Sequence, residues 1–317
     1  MDKHIPLTIA IPTYKRCKSV VSLVKSILPQ LHEEDELLVV DDGSEDGTTQ
    51  ALSTVARVRL VSNSFNQGMI KTWNKCLTSA SHEWICIIHD DDKIASDALQ
   101  TIQKACTLAY EPALIGPSNV FIKPNSLDVA LDNCFRCQLV EPGAWAVLNA
   151  FPIPSGVTIH KSIIDVVGLF NEQFNYSTDL EYFARISAKF TSIRIENPPI
   201  LFFNLHDQNY EYKTWEKPDF LTQLEEIERL VVTYSGKPED IALHHFHQRM
   251  NRHIAYMLRN SSNAEDKTLL KKVGLMVRSK PYLWRRNRIN AHLAALLNRP
   301  FSLLEYLFSL KDLSSEL

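Results

Sequence analysis

Glu36-Leu37-Leu38-Val39-Val40-Asp41-Asp42-Gly43-Ser44 sets four consecutive aliphatic residues directly ahead of two carboxylates, a glycine and a serine. An unbroken aliphatic run reads as a strand buried on both faces, the habit of parallel sheets. Upstream, Leu7 to Ile11 is a second such run, read as stopping at Pro12. Between the two, Val20, Leu23, Val24, Ile27, Leu28 and Leu31 recur at helical spacing over Ser19 to Leu31. Downstream, Thr48 to Val55 reads as a helix, Val58 to Val61 as a strand and Met69 to Ser79 as a helix. Trp84 to Ile88 reads as a fourth strand that runs into His89-Asp90-Asp91-Asp92. Strand and helix alternating in this way give an α/β fold, a mainly parallel sheet flanked by crossover helices. Such a sheet carries its chemistry on loops at the carboxyl ends of the strands, where the polar clusters of this chain fall.

The rest of the chain is less regular. Six prolines between Pro112 and Pro154 predict loops and short strands there. Ser162 to Val167 and Leu180 to Lys189 read as helices, Ile193 to Ile195 and Ile200 to Asn204 as strands. Helical signal alone follows from about residue 219, which divides the chain into a catalytic domain, 1–218, and a helical C-terminal extension, 219–317. The first domain splits further into a nucleotide half, about 1–110, and an acceptor half, about 111–218.

Composition excludes some classes. With 45% hydrophobic residues and 22% charged ones the chain is ordinary globular protein, and its net charge of -3 argues against a dedicated nucleic-acid binder. Of six cysteines, only Cys134 and Cys137 form a CxxC, with no second pair to complete a zinc set, so plain thiols in a reducing compartment are expected. Met1 to Tyr14 lacks the layout of a secretory leader, and no window approaches the roughly 18 apolar residues of a membrane span. A cytoplasmic location follows as the expectation, with peripheral contact at the inner face of the plasma membrane left open.

Two loops carry the chemistry. Asp41-Asp42-Gly43-Ser44 could receive a base imide or a ribose hydroxyl, and it could equally be a turn that caps the next helix. Asp90-Asp91-Asp92 follows a buried run, and three adjacent carboxylates repel each other unless solvated or neutralised. Hard oxygen ligands of this kind suit Mg²⁺ or Mn²⁺, while a solvated turn before a helix near Ser96 is the plainer reading. Asp179, just ahead of a helix, reads as its N-cap, a position that also aims a carboxylate outward.

Ile11-Pro12-Thr13-Tyr14-Lys15-Arg16, Val39 to Ser44, Asn66-Gln67-Gly68 and His89 to Asp92, in that order, resemble the motifs of family 2 glycosyltransferases with the Rossmann-like GT-A fold. Pro154-Ser155-Gly156, Val167 to Glu172 and Asp179 to Arg185 resemble the acceptor-side region of that family, so the resemblance covers about residues 5–210. It implies an inverting transfer from a nucleotide diphosphate-sugar, UDP-linked by preference, to a saccharide or lipid-linked saccharide hydroxyl. Bacterial surface polysaccharide synthesis, such as O-antigen or capsule, is the implied setting. The implied nucleotide-binding residues are Pro12, Thr13, Tyr14, Arg16, Asp42, Asn66, Lys71 and Asp90. Asp91, Asp92 and His206 would hold Mn²⁺ or Mg²⁺, His206 being read equally as a surface imidazole, and Asp179 would be the general base. The transferred group would be a hexosyl or N-acetylhexosaminyl unit. A non-catalytic sugar-nucleotide-binding protein and a nucleotidyltransferase are the competing readings. The latter would want a glycine-rich loop, and Ile11 to Arg16 has no glycine.

Residues 271–290 interleave basic side chains with Leu283, Trp284 and other apolar ones. They could lie on an anionic membrane or pack on the catalytic domain with a solvated basic side. Leu293 to Leu310 is an apolar stretch read as a packing or homodimer face.

Overall fold

A computed structural model describes residues 4–117, 134–143, 154–175, 178–202 and 220–234. By internal contacts the chain divides into compact units Met1–Ala242 and Leu243–Leu317, where the sequence suggested a boundary at 218. All described residues belong to the first unit. His206, residues 271–290 and Leu293 to Leu310 lie outside them.

The first four strands are β1 (Leu7–Thr13), β2 (Glu36–Asp41), β3 (Val58–Ser62) and β4 (Trp84–Ile87). Helix α1 (Cys17–Ile27) joins β1 to β2, α2 (Thr48–Ser53) joins β2 to β3, and α3 (Met69–Ser79) joins β3 to β4. After β4 come the short strand β5 (Lys93–Ile94), helix α4 (Ala98–Thr107), and strands β6 (Leu114–Pro117), β7 (Arg136–Val140) and β8 (Val157–His160). Helices α5 (Ser162–Val167) and α6 (Thr178–Ser187) precede β9 (Ser192–Asn197) and β10 (Leu201–Phe202), and α7 (Phe220–Tyr234) follows.

Eight strands form one sheet in the order β3-β2-β1-β4-β8-β6-β9-β7, and β10 pairs with β5 in a separate two-stranded ribbon. β1, β2, β3 and β4 are mutually parallel. β8 runs against both β4 and β6, β9 is parallel to β6, and β7 runs against β9. The sheet is therefore mainly parallel, as the run pattern predicts, with two reversed strands that it does not. Every residue of β1, β4 and β6 is buried, whereas β3 and β7 at the two edges are partly exposed.

On one face of the sheet Ile9, Ile11, Leu37, Val39 and Cys86 cluster with Val20, Leu23, Val24 and Ile27 of α1 and with Leu99 and Ile102 of α4. The apolar stripe of α1 is the i, i+3, i+4, i+7 pattern read from the sequence. Helix α3 packs on β1 and β2, and its buried Trp73 and Leu77 are not part of that cluster. The opposite directions of the β1-to-β2 and β3-to-β4 connections, each right-handed, place α1 and α3 on opposite faces. The sheet order thus reverses between β1 and β4, and in such sheets ligands bind at the carboxyl ends beside that reversal.

Two expectations are corrected here. β1 continues through Pro12 to Thr13, with Pro12 in register with Val40 of β2. Ala10 accepts from Ile88 on the β4 side and Thr13 accepts from Asp42 on the β2 side, so alternation turns the nitrogen of Pro12 toward β4. The β1–β4 pairing ends at Ala10 and Ile87, so no ladder bond is lost at proline. Helix α6 begins at Thr178, which puts Asp179 inside the first turn rather than at the N-cap.

Helix α6 is held by polar clamps. Asn74 of α3, 6% exposed, donates to the carbonyl of Phe170 at 3.0 Å and accepts from its N–H at 2.9 Å. Arg185 closes on Glu181 one turn back at 2.8 Å through both Nε and Nη2, and donates to the carbonyls of Val167 and Leu169. Replacing Asn74 by Ala leaves both Phe170 backbone groups unsatisfied. We expect Asn74→Ala to lower the unfolding free energy by about 2 kcal/mol, read as a reduced urea midpoint at unchanged slope.

Candidate active site

Three loops meet at the carboxyl ends of β1, β2 and β4. The loop after β1 turns sharply at Lys15, whose φ of 52° is left-handed. It is tied to the loop after β2 by Lys15 N–H on Ser44 Oγ at 2.7 Å and Cys17 N–H on Asp46 Oδ2 at 2.9 Å. The other oxygen of Asp46 accepts from the N–H and hydroxyl of Thr48, so one carboxylate serves the first turns of α1 and α2.

Asp41 and Asp42 are 1% and 2% exposed, and the chain itself supplies donors to both. Asp41 accepts from Ser44 N–H at 3.2 Å and Thr49 hydroxyl at 3.0 Å. Asp42 accepts from the Asn63 amide and Gln67 N–H on one oxygen and Gly68 N–H on the other, all at 2.9 Å. Asp42 therefore organises the 63–68 loop, and a base imide would be its fourth donor. Gly43 has φ of 74°, and a Cβ there would stand 2.7 Å from the backbone of Phe65. Only glycine permits this approach of the two loops.

Between them lies a cavity of about 280 Å³, whose lining includes Tyr14, Asp41, Ser44, Asn63, Phe65 and Asn66. Tyr14 and Phe65 are 38% and 66% exposed, two aromatic rings in water beside a polar cavity. Flat heteroaromatic ligands stack on such rings. Phe65 was not singled out in the sequence, because one phenylalanine in a loop carries no signal until its exposure is seen. Lys71 is exposed on the first turn of α3.

The loop after β4 carries the acidic turn. Asp90 is 5% exposed and accepts from Thr13 hydroxyl at 2.7 Å. A single nitrogen of Arg16, Nη1, donates to Asp90 Oδ1 at 2.9 Å and to Asp91 Oδ2 at 2.5 Å. Burial pushes the Asp90 carboxyl up to about 6, outweighing the pull of Arg16. Burial works against the charge on Arg16 too, but Asp90 and Asp91 hold its pKa above the usual arginine value. His89 stacks on Trp73 with ring centroids 5.1 Å apart, and burial pushes it down to about 4, a neutral imidazole at pH 7. One nitrogen of His89 and one oxygen each of Asp91 and Asp92 lie within 4.8 Å of one another. Two hard carboxylates and a neutral imidazole converging in this way fit Mn²⁺ or Mg²⁺. His89 enters this set beside Asp91 and Asp92, and His206, the imidazole that the resemblance implied, lies outside the described residues.

The acceptor-side segment reaches the same rim. Ser155 Oγ accepts from His89 N–H at 3.0 Å, and Gly156 N–H donates to Ile87 carbonyl at 2.7 Å. Trp73, His89, Pro154, Phe170 and Phe183 line one apolar gap beneath the acidic turn. Phe183 stands one helical turn after Asp179 in α6, so the helix that carries the candidate base is seated on the side chains that support the candidate metal ligands. The thiols of Cys76, Cys86 and Cys106 are buried, no disulfide joins the six cysteines, and the CxxC pair is distant in sequence from this constellation.

Residues 8–116 match the family model described as Glycosyl transferase family 2. Among curated relatives, glycosyltransferase GlyG of Streptococcus pneumoniae serotype 4 is 22% identical over 59% of this chain and 67% of its own length. GalNAc(5)-diNAcBac-PP-undecaprenol beta-1,3-glucosyltransferase of Campylobacter jejuni is 29% identical over 33% of this chain and 35% of its own. Of seven curated relatives besides GlyG, the chain spans 16% to 45% of the length. The crystal structure of S. aureus TarS 1-349 in complex with UDP-GlcNAc superposes with a TM-score of 0.61 at 15% identity. It covers 84% of this chain and 78% of that one, and the shared fold is GT-A.

Gly43→Ala is expected to cost about 2 kcal/mol of stability, because it combines a strained φ with a clash on backbone. It should also weaken nucleotide binding, which isothermal titration would read. For Asp90 the folded-state pKa, about 6, lies above the ordinary 3.8. Its contribution to stability is then complete below about pH 4 and disappears as pH rises through about 6. In cation-free buffer the wild type should lose more stability than Asp90→Asn between pH 4 and pH 7, compared by urea unfolding at each pH.

Proposed function

From the match of residues 8–116 to the Glycosyl transferase family 2 model, on a GT-A fold, we propose that this chain transfers a sugar from a UDP-sugar to an acceptor hydroxyl with inversion. One juxtaposition carries the reading. The acidic turn, fixed by Thr13 and Arg16 at the sheet reversal, and α6 with Asp179 rest on the same apolar cluster.

Tyr14 and Phe65 would take the base between them, with Asn66 and the Asp42-organised loop at its edge. Asp90 would reach the ribose, while Asp91 and Asp92 with His89 would hold the divalent cation. When bound, Mn²⁺ or Mg²⁺ neutralises the charge growing on the departing diphosphate. Asp179 accepts the proton of the acceptor hydroxyl as its oxygen bonds to the anomeric carbon. The bond from that carbon to the diphosphate oxygen breaks, and its electron pair leaves with the diphosphate. A single displacement of this kind inverts configuration and needs no sugar–enzyme bond. Placing both substrates in line supplies much of the rate.

The transferred unit is read as a hexose or N-acetylhexosamine, and the acceptor as a saccharide of a bacterial surface polysaccharide, lipid-linked in the membrane. The name of the Campylobacter jejuni relative, which includes an undecaprenol-linked acceptor, supports that setting. Among the described residues no helix is long and apolar enough to cross a membrane. A lipid-linked acceptor would then be met from the membrane surface, through contact from residues 271–290.

Thermal shifts over a panel of sugar nucleotides with Mn²⁺ should pick out one donor, since ligand specific to the folded state raises apparent stability. Asp179→Asn and Asp179→Ala should bind that donor as the wild type does while the transfer rate falls about a hundredfold or more. An Asp179→Ala protein that binds donor normally and transfers at the wild-type rate removes the base from this mechanism.

A further inference from the structure

We propose that Arg16 is a built-in counter-ion of the acidic turn, one that must leave Asp91 before a divalent cation can settle there and that then turns to the diphosphate. The cation half of the inference stands on the geometry alone, and the diphosphate half rests on the glycosyl-transfer reading. Asp90, Asp91 and Asp92 are consecutive and largely buried, and Arg16 meets two of them through one nitrogen, at 2.9 and 2.5 Å. Its side chain is 25% exposed and that of Asp91 only 15%, so the contact is substantially shielded from water. A guanidinium on Asp91 occupies a carboxylate that a cation shared by Asp91, Asp92 and His89 would also draw on. Two positive charges at one carboxylate repel, so the arrival of one weakens the hold on the other.

The displaced guanidinium has little distance to travel. Arg16 is the residue before the first turn of α1, its carbonyl accepts from Val20 N–H at 3.0 Å, and its backbone is fixed by the helix it begins. Only the side chain can swing, so the charge remains at the rim between the loops after β1 and β4. A diphosphate gripped by the cation would offer it paired oxygens, the partner that the planar guanidinium matches best. Cation alone therefore binds against the loss of two ion pairs, and nucleotide restores them. The two ligands must then bind cooperatively, each tightening the other by one common factor.

Titrations of the full chain with Mn²⁺ alone, with UDP alone and with both test this. Arg16→Gln should bind Mn²⁺ alone about tenfold more tightly than wild type and UDP at saturating Mn²⁺ about tenfold more weakly, so the coupling between them shrinks. Arg16→Lys, which keeps a point charge without the fork, should fall between. Unchanged or weaker Mn²⁺ binding by Arg16→Gln overturns the counter-ion role. If neither protein binds UDP, the UDP-sugar reading fails while the Mn²⁺ comparison still decides the cation half. Should Arg16→Gln not fold, the side-chain N–H resonance of Arg16 in the wild type decides instead. It must shift on titration with Mg²⁺, and a resonance that does not move overturns the proposal.

Discussion

A buried carboxylate must find donors, because a charge taken out of water without them is costlier than most folds can bear. Asp41, Asp42 and Asp90 are all at most 5% exposed, and Asp42 and Asp90 are satisfied from outside their own turns. Asp42 draws on the 63–68 loop, Asp90 on the loop after β1, and Asp41 on its own turn and on α2. The acids are thus the ties that bring separate loops to one rim, and the same atoms that shape the site hold its walls together. Removing one of them would alter geometry and chemistry at once.

A second layer of support is apolar. Trp73 of α3 stacks on His89 and meets Phe170 edge-on at 5.2 Å, and Phe170 tilts against Tyr182 at 4.1 Å. That chain of rings runs from the acidic turn to α6, and Asn74 and Arg185 fix the Leu169–Phe170 backbone at its middle by hydrogen bonds. The rim therefore rests on two kinds of support with different sensitivities. Charged ties respond to pH, salt and cations, and the ring packing responds to the volume of its side chains.

What could be read beforehand was what local pattern decides. The bounds of β2 and α3 coincide with the sequence reading, since four aliphatic residues in a row admit one reading and the apolar positions of Met69 to Ser79 admit one face. The end of β1 was misjudged because a proline is harmless only where the neighbouring strand has stopped, and that is a fact of pairing. Strand polarity was likewise hidden: nothing within Val157 to His160 tells that it runs against both of its neighbours. The acidic turn was visible as composition. Its partner Arg16 was recognisable only as part of a motif, because an ion pair between residues 16 and 91 depends on two loops meeting in space. The start of α6 was placed two residues late for a similar reason, since the helix begins at Thr178 rather than after Asp179 and its Phe183 packs on Phe170, a contact that capping preference does not reveal.

The reversed polarity of β8 bears on how the chain is made. Its first residue, Val157, lies opposite Ile87, the last of β4, so the segment before it is delivered to the rim without a crossover. The hydroxyl that receives His89 N–H belongs to Ser155 and emerges from the ribosome 66 residues later. Until then a nascent chain can assemble β1 to β4 with α1 and α3, but the exposed flank of β4 waits unpaired. Non-local pairing of this kind is slow and leaves an open strand edge during synthesis.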